Sequence, residues 1–264
     1  MEIYNDFAKV YNKFMGDTPY EKWYKFLHDQ LQKHNIKPNI VCDLGCGTGV
    51  MCEMFAHDNI EVIGIDKSQE MLMEARENSS ANILYLCQDM CEFELFGTVD
   101  LIYCSCDGIN YLHEEDEIIQ TFKLVNNYLE RGGLFIFDIN TEHKYKEVLG
   151  QKIFAEQTED AAYIWENYYD EAEKVNEFGV SFFIKEEGDK YIKKEEFHYQ
   201  KAYSVDQIKS FLKQAGLELV EIFDDYSHKP CGNTTLRATF IARETYNENK
   251  FYEDKVAEDE RLCD

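Results

Sequence analysis

The chain has 264 residues, enough for one α/β domain with a modest insertion or at most two small domains, and its 44% hydrophobic and 14% aromatic content excludes global disorder. Against 27 Lys and Arg stand 52 Asp and Glu, and the resulting net charge of −25 argues against a broad nucleic-acid-binding face. No run reaches the ~18 apolar residues of a membrane span, the opening residues lack a secretion signal, and nine scattered cysteines show no C-x-x-C pair, so a reduced cytoplasmic protein without membrane contact is expected.

Thr18-Pro19-Tyr20-Glu21 reads as a capping box with Pro at the first helical position, and Trp23, Phe26, Leu27 and Leu31 then share one face until Lys37-Pro38-Asn39 ends the helix. From Ile40 strands and helices alternate. The strand Ile40 to Asp43 leads through a Gly-rich turn into a helix carrying Met51, Met54 and Phe55. Ile60 to Asp66 is a second strand, and Ser68 caps a helix through Glu77. Strands follow at Ile83 to Cys87 and Val99 to Ser105, then a helix from Glu114 to Leu129 stopped by Gly132-Gly133, then a strand from Leu134 to Ile139. Such alternation predicts a parallel sheet covered on both faces, a doubly wound domain. Residues Ala162 to Ala202 instead show period-two stretches, among them Tyr163 to Tyr168 and Glu195 to Tyr199, and predict antiparallel strands with one wet face. Ser204 caps a helix to Ala215, Gly216 closes it, and Leu217 to Phe223 with Leu236 to Ala242 make a returning strand pair.

The sharpest signal is Asp43-Leu44-Gly45-Cys46-Gly47-Thr48-Gly49, between a strand and a helix. Glycines there permit a tight turn and close approach of a ligand to free helix N–H groups. A phosphate-binding P-loop is excluded, because Val50 and Met51 follow Gly49 where Lys and Ser or Thr are needed. A dinucleotide fingerprint places its third glycine one residue later, and Asp43 would repel a pyrophosphate. What remains is an adenosyl ligand without phosphates and with a cationic head. Asp66 ends the second strand 23 residues beyond Asp43, and Asp89 follows the third strand. Singly, these are a Gly-rich turn, a helix-start charge and a turn residue. Three acids at the ends of three successive strands form a pattern.

That pattern resembles the class I S-adenosylmethionine-dependent methyltransferases, whose acid-x-G-x-G-x-G turn cradles the methionyl end of the cofactor. Phe7-Ala8-x-x-Tyr11, Pro19-Tyr20-Glu21-x-Trp23 and Asn110-Tyr111-Leu112 further resemble the YqeM-like bacterial group, although Tyr11-Asn12 stands where that group often has Tyr-Asp. The resemblance implies a mostly parallel Rossmann-like sheet of seven strands with an antiparallel C-terminal strand, and a small antiparallel β insertion as substrate lid. It covers residues 1–140 well and 203–243 loosely, and the change of texture between them divides the chain into N-terminal helices and cofactor-binding core (1–140), inserted lid (141–202), completion of the core (203–243) and a frayed acidic tail (244–264). The resemblance implies S-adenosylmethionine as cofactor, S-adenosylhomocysteine as product, and no metal. By resemblance Asp43, Gly45, Cys46 and Gly47 form the turn, Asp66 with Lys67 and Met71 the ribose side, and Gln88, Asp89 and Met90 the adenine edge. Cys104 opens the segment to Asp107 that lies beside the donor methyl, and Tyr11, Tyr20 and Trp23 belong to a lid over the methionyl group. Trp23 equally fits plain helix core.

Methyl transfer is an in-line displacement, in which alignment alone is worth roughly 7–11 kcal/mol and a base is needed only for a protonated nucleophile. Asp107 and His198 are candidate catalytic groups, though Asp107-Gly108 also reads as an ordinary turn. Glu196 shares a strand face with His198 and is a candidate substrate contact, or the pair forms a solvated face. Arg237 is either a partner for an acidic substrate group or a strand-edge charge, and His113 reads as helix-start decoration. The expected reaction transfers methyl to an N or O nucleophile of a small molecule. The alternatives are an RNA methyltransferase, which the charge opposes, and a non-catalytic cofactor-binding module; an oxidoreductase is disfavoured by the glycine spacing.

Overall fold

The computed structural model describes residues 18–79, 81–185, 190–247 and 250. Helix α1 (Tyr20–Lys33) precedes β1 (Ile40–Leu44), α2 (Val50–His57), β2 (Glu61–Asp66), α3 (Gln69–Asn78), β3 (Leu84–Cys87) and β4 (Val99–Cys104). A 3₁₀ turn (Gly108–Tyr111) then leads to α4 (Glu115–Tyr128) and β5 (Leu129–Asn140). A π-helical turn (Lys144–Leu149) opens the insertion, formed by β6 (Ile153–Gln157), β7 (Ala161–Asp170), β8 (Val175–Lys185) and β9 (Tyr191–Lys201). The core is completed by α5 (Val205–Gln214), β10 (Leu217–Asp224) and β11 (Arg237–Glu244).

Seven strands form the main sheet in the order β10-β11-β5-β4-β1-β2-β3, with β11 antiparallel to both neighbours and the other pairs parallel. Period-two alternation sorts its side chains between two cores. Val41, Leu101, Tyr103, Leu134 and Ile136 pack against α1, α2 and α3. Cys42, Ile102, Cys104, Phe135 and Phe137 pack against α4 and α5. In that second core Phe137 stacks between Phe135 at 4.6 Å and Phe240 at 5.1 Å, and each such buried ring is worth ~1.5–3 kcal/mol of burial. Both sheet faces are therefore apolar, as a doubly wound sheet requires.

Three local expectations are corrected. Pro19 is the cap of α1 rather than its first residue, since its carbonyl already accepts the Trp23 N–H at 3.1 Å. Gly132-Gly133 does not stop α4, which ends at Tyr128 with Leu129 already in β5; the pairing with β4 jumps from Val99–Leu129 to Leu101–Leu134, so residues 130–133 bulge from the ladder. A Cβ on Gly133 would stand 2.9 Å from the Asp100 carbonyl, which is why glycine sits there. The insertion also has a fourth strand, β6, too short and exposed to register in the period-two pattern.

The insertion docks through a joint made by Asn110. Its carboxamide accepts from Asn140 N at 2.9 Å and donates to Asn140 O at 3.2 Å and Lys201 O at 2.8 Å, tying the 3₁₀ turn to the ends of β5 and β9. Asn110→Ala strands these buried backbone groups and is expected to destabilise the protein by about 2–3 kcal/mol in chemical denaturation.

Candidate active site

The turn between β1 and α2 is shaped by three left-handed glycines, Gly45, Gly47 and Gly49, at φ +84°, +54° and +77°. Gly45 N and Cys46 N both donate to Ile65 O, at 2.8 and 2.9 Å, so the turn is strapped to β2. A Cβ on Gly49 would overlap the Tyr85 hydroxyl, whereas one on Gly47 would meet nothing within 4 Å. The turn is thus closed toward α3 and open at Gly47, where backbone is available to a ligand.

The three acids lie at the carboxyl ends of β1, β2 and β3, adjacent strands on one side of the point where strand order reverses, the place where open α/β sheets bind ligands. Asp43 is buried, accepts from Cys52 Sγ at 3.4 Å, and is pushed by burial up to about 7, against the Cys52 thiol and Tyr103 hydroxyl that face it. Asp66 accepts from Gly47 N and Ser68 N, both at 2.8 Å; burial raises its pKa while those donors pull it back. Asp89 pairs with Lys67 at 2.6 Å and accepts from Cys91 N at 2.9 Å; burial works against its charge, but these partners hold it below the usual carboxylate range. Gln88 accepts from Glu94 N at 2.8 Å and so folds the loop after β3 over itself. The Met90 methyl is the nearest atom to a Cβ placed on Gly45, at 3.6 Å, and lies 3.9 Å from one on Gly108, which seats the thioether between the glycine turn and the end of β4. Met71 is buried in the first turn of α3, its N–H donating to the Ser68 cap at 3.1 Å.

At the end of β4 Cys104 is fully buried, and Cys106 and Asp107 are consecutive left-handed residues at φ +63° and +55°, a conformation that L side chains adopt only under constraint. The constraint is visible. Arg237, at the start of β11, donates to Asp107 at 2.7 Å and also to Asp138 at the end of β5. Asp107 N donates to Asp138 at 3.0 Å, and Tyr226 Oη donates to Asp138 at 2.6 Å. Burial opposes the Arg237 charge, yet the two carboxylates hold it firmly protonated. The Arg237 guanidinium also lies 5.3 Å from the Trp23 ring, which stacks on Tyr226 at 5.1 Å and meets Tyr20 edge-on at 5.7 Å. Trp23 is buried, and its indole N–H has no hydrogen-bond partner among the described residues. Tyr11 lies outside the described residues. Lys144 donates to Asn140 Oδ1 at 2.8 Å; burial lowers its pKa while the charge on Asp107 opposes that shift.

Strand β9 covers this cluster with one face. Gln200 donates to Asp107 at 2.5 Å and accepts from Tyr145 at 3.0 Å. Two and four residues earlier, His198 and Glu196 point the same way, with side-chain exposures of 10% and 3%, so they are not a solvated face. Nor is Arg237 a strand-edge charge: it is bound to two acids in the interior. His113 joins the 3₁₀ turn to β9, its Nε2 2.9 Å from Tyr199 O. The structure therefore brings Asp107, Arg237 and Gln200 into contact beneath the face of β9 that also carries His198 and Glu196, and sets Asp43, Asp66, Met90 and the glycine turn at the ends of the neighbouring strands. Sequence reasoning missed four members. Asp138 had a signal, a carboxylate inside the apolar run Leu134 to Ile139; Gln200 had another, the continuation of the Glu196–His198 alternation. Tyr111 appeared only within a family marker, and Tyr226 had no local signal.

Comparison with known proteins gives the family. A family profile described as a methyltransferase domain matches residues 41–133. YqeM of Bacillus subtilis (strain 168), named as a candidate methyltransferase, is 34% identical over 92% of this chain and 98% of its own. The chain belongs to the S-adenosylmethionine-dependent methyltransferases, in the YqeM-like group. A solved methyltransferase of this kind from Clostridium acetobutylicum ATCC 824 superimposes on the enzyme with a TM-score of 0.84, at 32% identity, covering 92% of this chain and 99% of its own. Cofactor-bound CalS10, an amino pentose methyltransferase from Micromonospora echinaspora, shares the fold at a TM-score of 0.70 and 17% identity, with 87% of this chain and 93% of its own covered. Among the described residues of the methyltransferase no helix is long and apolar enough to cross a membrane.

Two measurements check the site's electrostatics. Because folding raises the Asp43 pKa from 3.8 to about 7, the folded state holds a proton that the unfolded chain releases between those values, and stability falls as pH rises through this window. Asp43→Asn is therefore expected to melt above wild type at about pH 8 without ligand, with the gap narrowing toward about pH 5. Arg237→Met leaves Asp107 and Asp138 without their cation and is expected to cost about 3–5 kcal/mol in urea denaturation.

Proposed function

We propose that this methyltransferase moves the sulfonium methyl of S-adenosylmethionine to an N or O nucleophile of a small-molecule acceptor held between the inner face of β7–β9 and the carboxyl ends of β4 and β5. The observation that carries this reading is the Gln200–Asp107 hydrogen bond, which ties the four-stranded sheet to the end of β4, so that an acceptor beside Asp107 would be covered by β9. A site covered by the inserted sheet suits a small molecule better than a polymer, and the acidic surface repels a phosphate backbone. The amino pentose methyltransferase that shares the fold acts on such an acceptor.

The residues fit the cofactor. Asp66, already fixed by two backbone donors, keeps lone pairs for the ribose hydroxyls, and the space left at Gly47 receives the methionyl end beside Gly45 and Cys46. Asp43 lies buried beneath that turn, while the Trp23 indole N–H, without a partner among the described residues, and the Tyr20 ring cap it from α1 in this reading. Gln88, Asp89 and Met90 form the adenine side, with Lys67 and Met71 bracing the loops and Cys104 packing under Gly108. When bound, the cofactor supplies a methyl carbon on a sulfonium leaving group. Asp107, its carboxylate engaged by Arg237 and Gln200, holds the donor end of the crevice in place, and the inner face of β9 excludes water from it.

Calorimetric titration with S-adenosylmethionine, S-adenosylhomocysteine and NAD in parallel tests the reading. Micromolar binding of the first two, none of NAD, and at least ~10-fold weaker binding by Asp66→Ala are expected. Failure of both adenosyl ligands to bind would sink it.

A further inference from the structure

We propose that Tyr111, His198 and Glu196 form a proton relay serving an amine acceptor that arrives as an ammonium ion, with Tyr111 Oη the atom that touches the acceptor. The inference rests on the small-molecule methyl transfer proposed above. His198 Nε2 lies 3.3 Å from Glu196 Oε2, and His198 Nδ1 lies 3.2 Å from Tyr111 Oη. The relay requires Glu196 ionised, so that Nε2 carries a proton toward it and the ring presents a lone pair at Nδ1 to accept the Tyr111 hydroxyl proton. The Phe178 ring stacks on the imidazole at 4.7 Å and 14°, and fixes its plane.

Exposure orders the three groups. Glu196 is 3% exposed, the His198 side chain 10%, and Tyr111 43%, so the member that an acceptor can reach is Tyr111. Location agrees. Tyr111 closes the 3₁₀ turn four residues after Asp107, and His198 stands one two-residue strand repeat, ~7 Å, from Gln200 over Asp107. Chemistry supplies the substrate class. An aliphatic amine at neutral pH is an ammonium ion without a lone pair, so a base must act before displacement. A buried carboxylate, an aromatic face at Tyr111 and a chain charge of −25 all favour a cation over an anion. Burial alone raises the Glu196 pKa, and forming an imidazolium beside it relieves that cost.

The step balances. The ammonium N–H proton passes to Tyr111 Oη as the Tyr111 proton passes to His198 Nδ1, giving an imidazolium paired with Glu196. The freed nitrogen lone pair forms the carbon–nitrogen bond while the carbon–sulfur bond breaks with its electrons going to sulfur. The product leaves as a methylated ammonium, and His198 returns its extra proton to solvent. Tyr111 is the catalytic residue here; His198 and Glu196 act through it.

Two readings test the relay on the 264-residue enzyme. The first is ¹⁵N NMR of histidine-labelled protein loaded with S-adenosylhomocysteine, with the His198 signal identified by its loss in His198→Gln. An Nε2–H tautomer in wild type that is disturbed by Glu196→Gln supports the relay, and an Nδ1–H tautomer overturns it. The second is turnover of a panel of small primary and secondary amines and matched alcohols at millimolar concentration, read as S-adenosylhomocysteine formed. Tyr111→Phe, which removes one hydroxyl from a half-exposed ring, is expected to lower kcat on an amine at least ~10²-fold with unchanged KM for the cofactor. Wild-type kcat in that variant, turnover of alcohols without amines, or no amine turnover by an enzyme that binds the cofactor would each overturn the inference. Loss of adenosyl-ligand binding in calorimetry would instead fail the underlying methyltransferase site, so the two failures are distinct.

Discussion

A guanidinium bound between two carboxylates in the interior sets the geometry on which the rest of the site depends. Arg237 on β11 reaches Asp138 on β5 and Asp107 beyond β4, so three neighbouring strands are fastened together at their functional ends. Three ions out of water carry a desolvation cost that only close pairing and extra hydrogen bonds offset, and both are present: Tyr226 and the Asp107 N–H complete Asp138, and Gln200 completes Asp107. The pairing also accounts for the backbone. Two successive left-handed non-glycine residues, Cys106 and Asp107, persist because both the Asp107 side chain and its N–H are claimed by this cluster.

From that anchor the site divides into two regions with different physical demands. On the β1–β3 side, close backbone approach is the requirement, met by left-handed glycines strapped to Ile65 and by carboxylates whose oxygens are aimed by backbone donors. On the β9 side, the inserted sheet turns one face toward the end of β4, and that face carries Glu196, His198 and Gln200 beside Asn176, Trp165 and Phe178. Asn110 holds the two regions together, since it bonds β5 and the inserted strand β9 at once. Helix α1 contributes from the opposite side, where Trp23 bridges Tyr226 and the face of Arg237; its reading as helix core and its position beside the site are therefore compatible.

Much of this was legible in the residues as written. Strand–helix alternation from Ile40 to Ile139 specified a doubly wound sheet because buried parallel strands need apolar faces on both sides, and the observed order of seven strands has that form. The glycine turn and Asp66 were legible because their chemistry is local: a positive φ and a strand-end carboxylate are each encoded within a few positions. Element ends were less secure where tertiary contacts override propensity, as at Gly132-Gly133, which serves a bulge in β5 rather than the end of α4.

The partners of charged groups were not legible. Arg237 and Asp107 are 130 positions apart, Tyr226 and Asp138 are 88, and His198 and Tyr111 are 87. Local sequence sets each residue's secondary structure and the face it occupies, and that much follows from periodicity. Which distant side chain neutralises a buried charge depends on how strands are ordered in the sheet and how the insertion docks, because a pairing acts over a few ångströms in space and leaves no spacing along the chain.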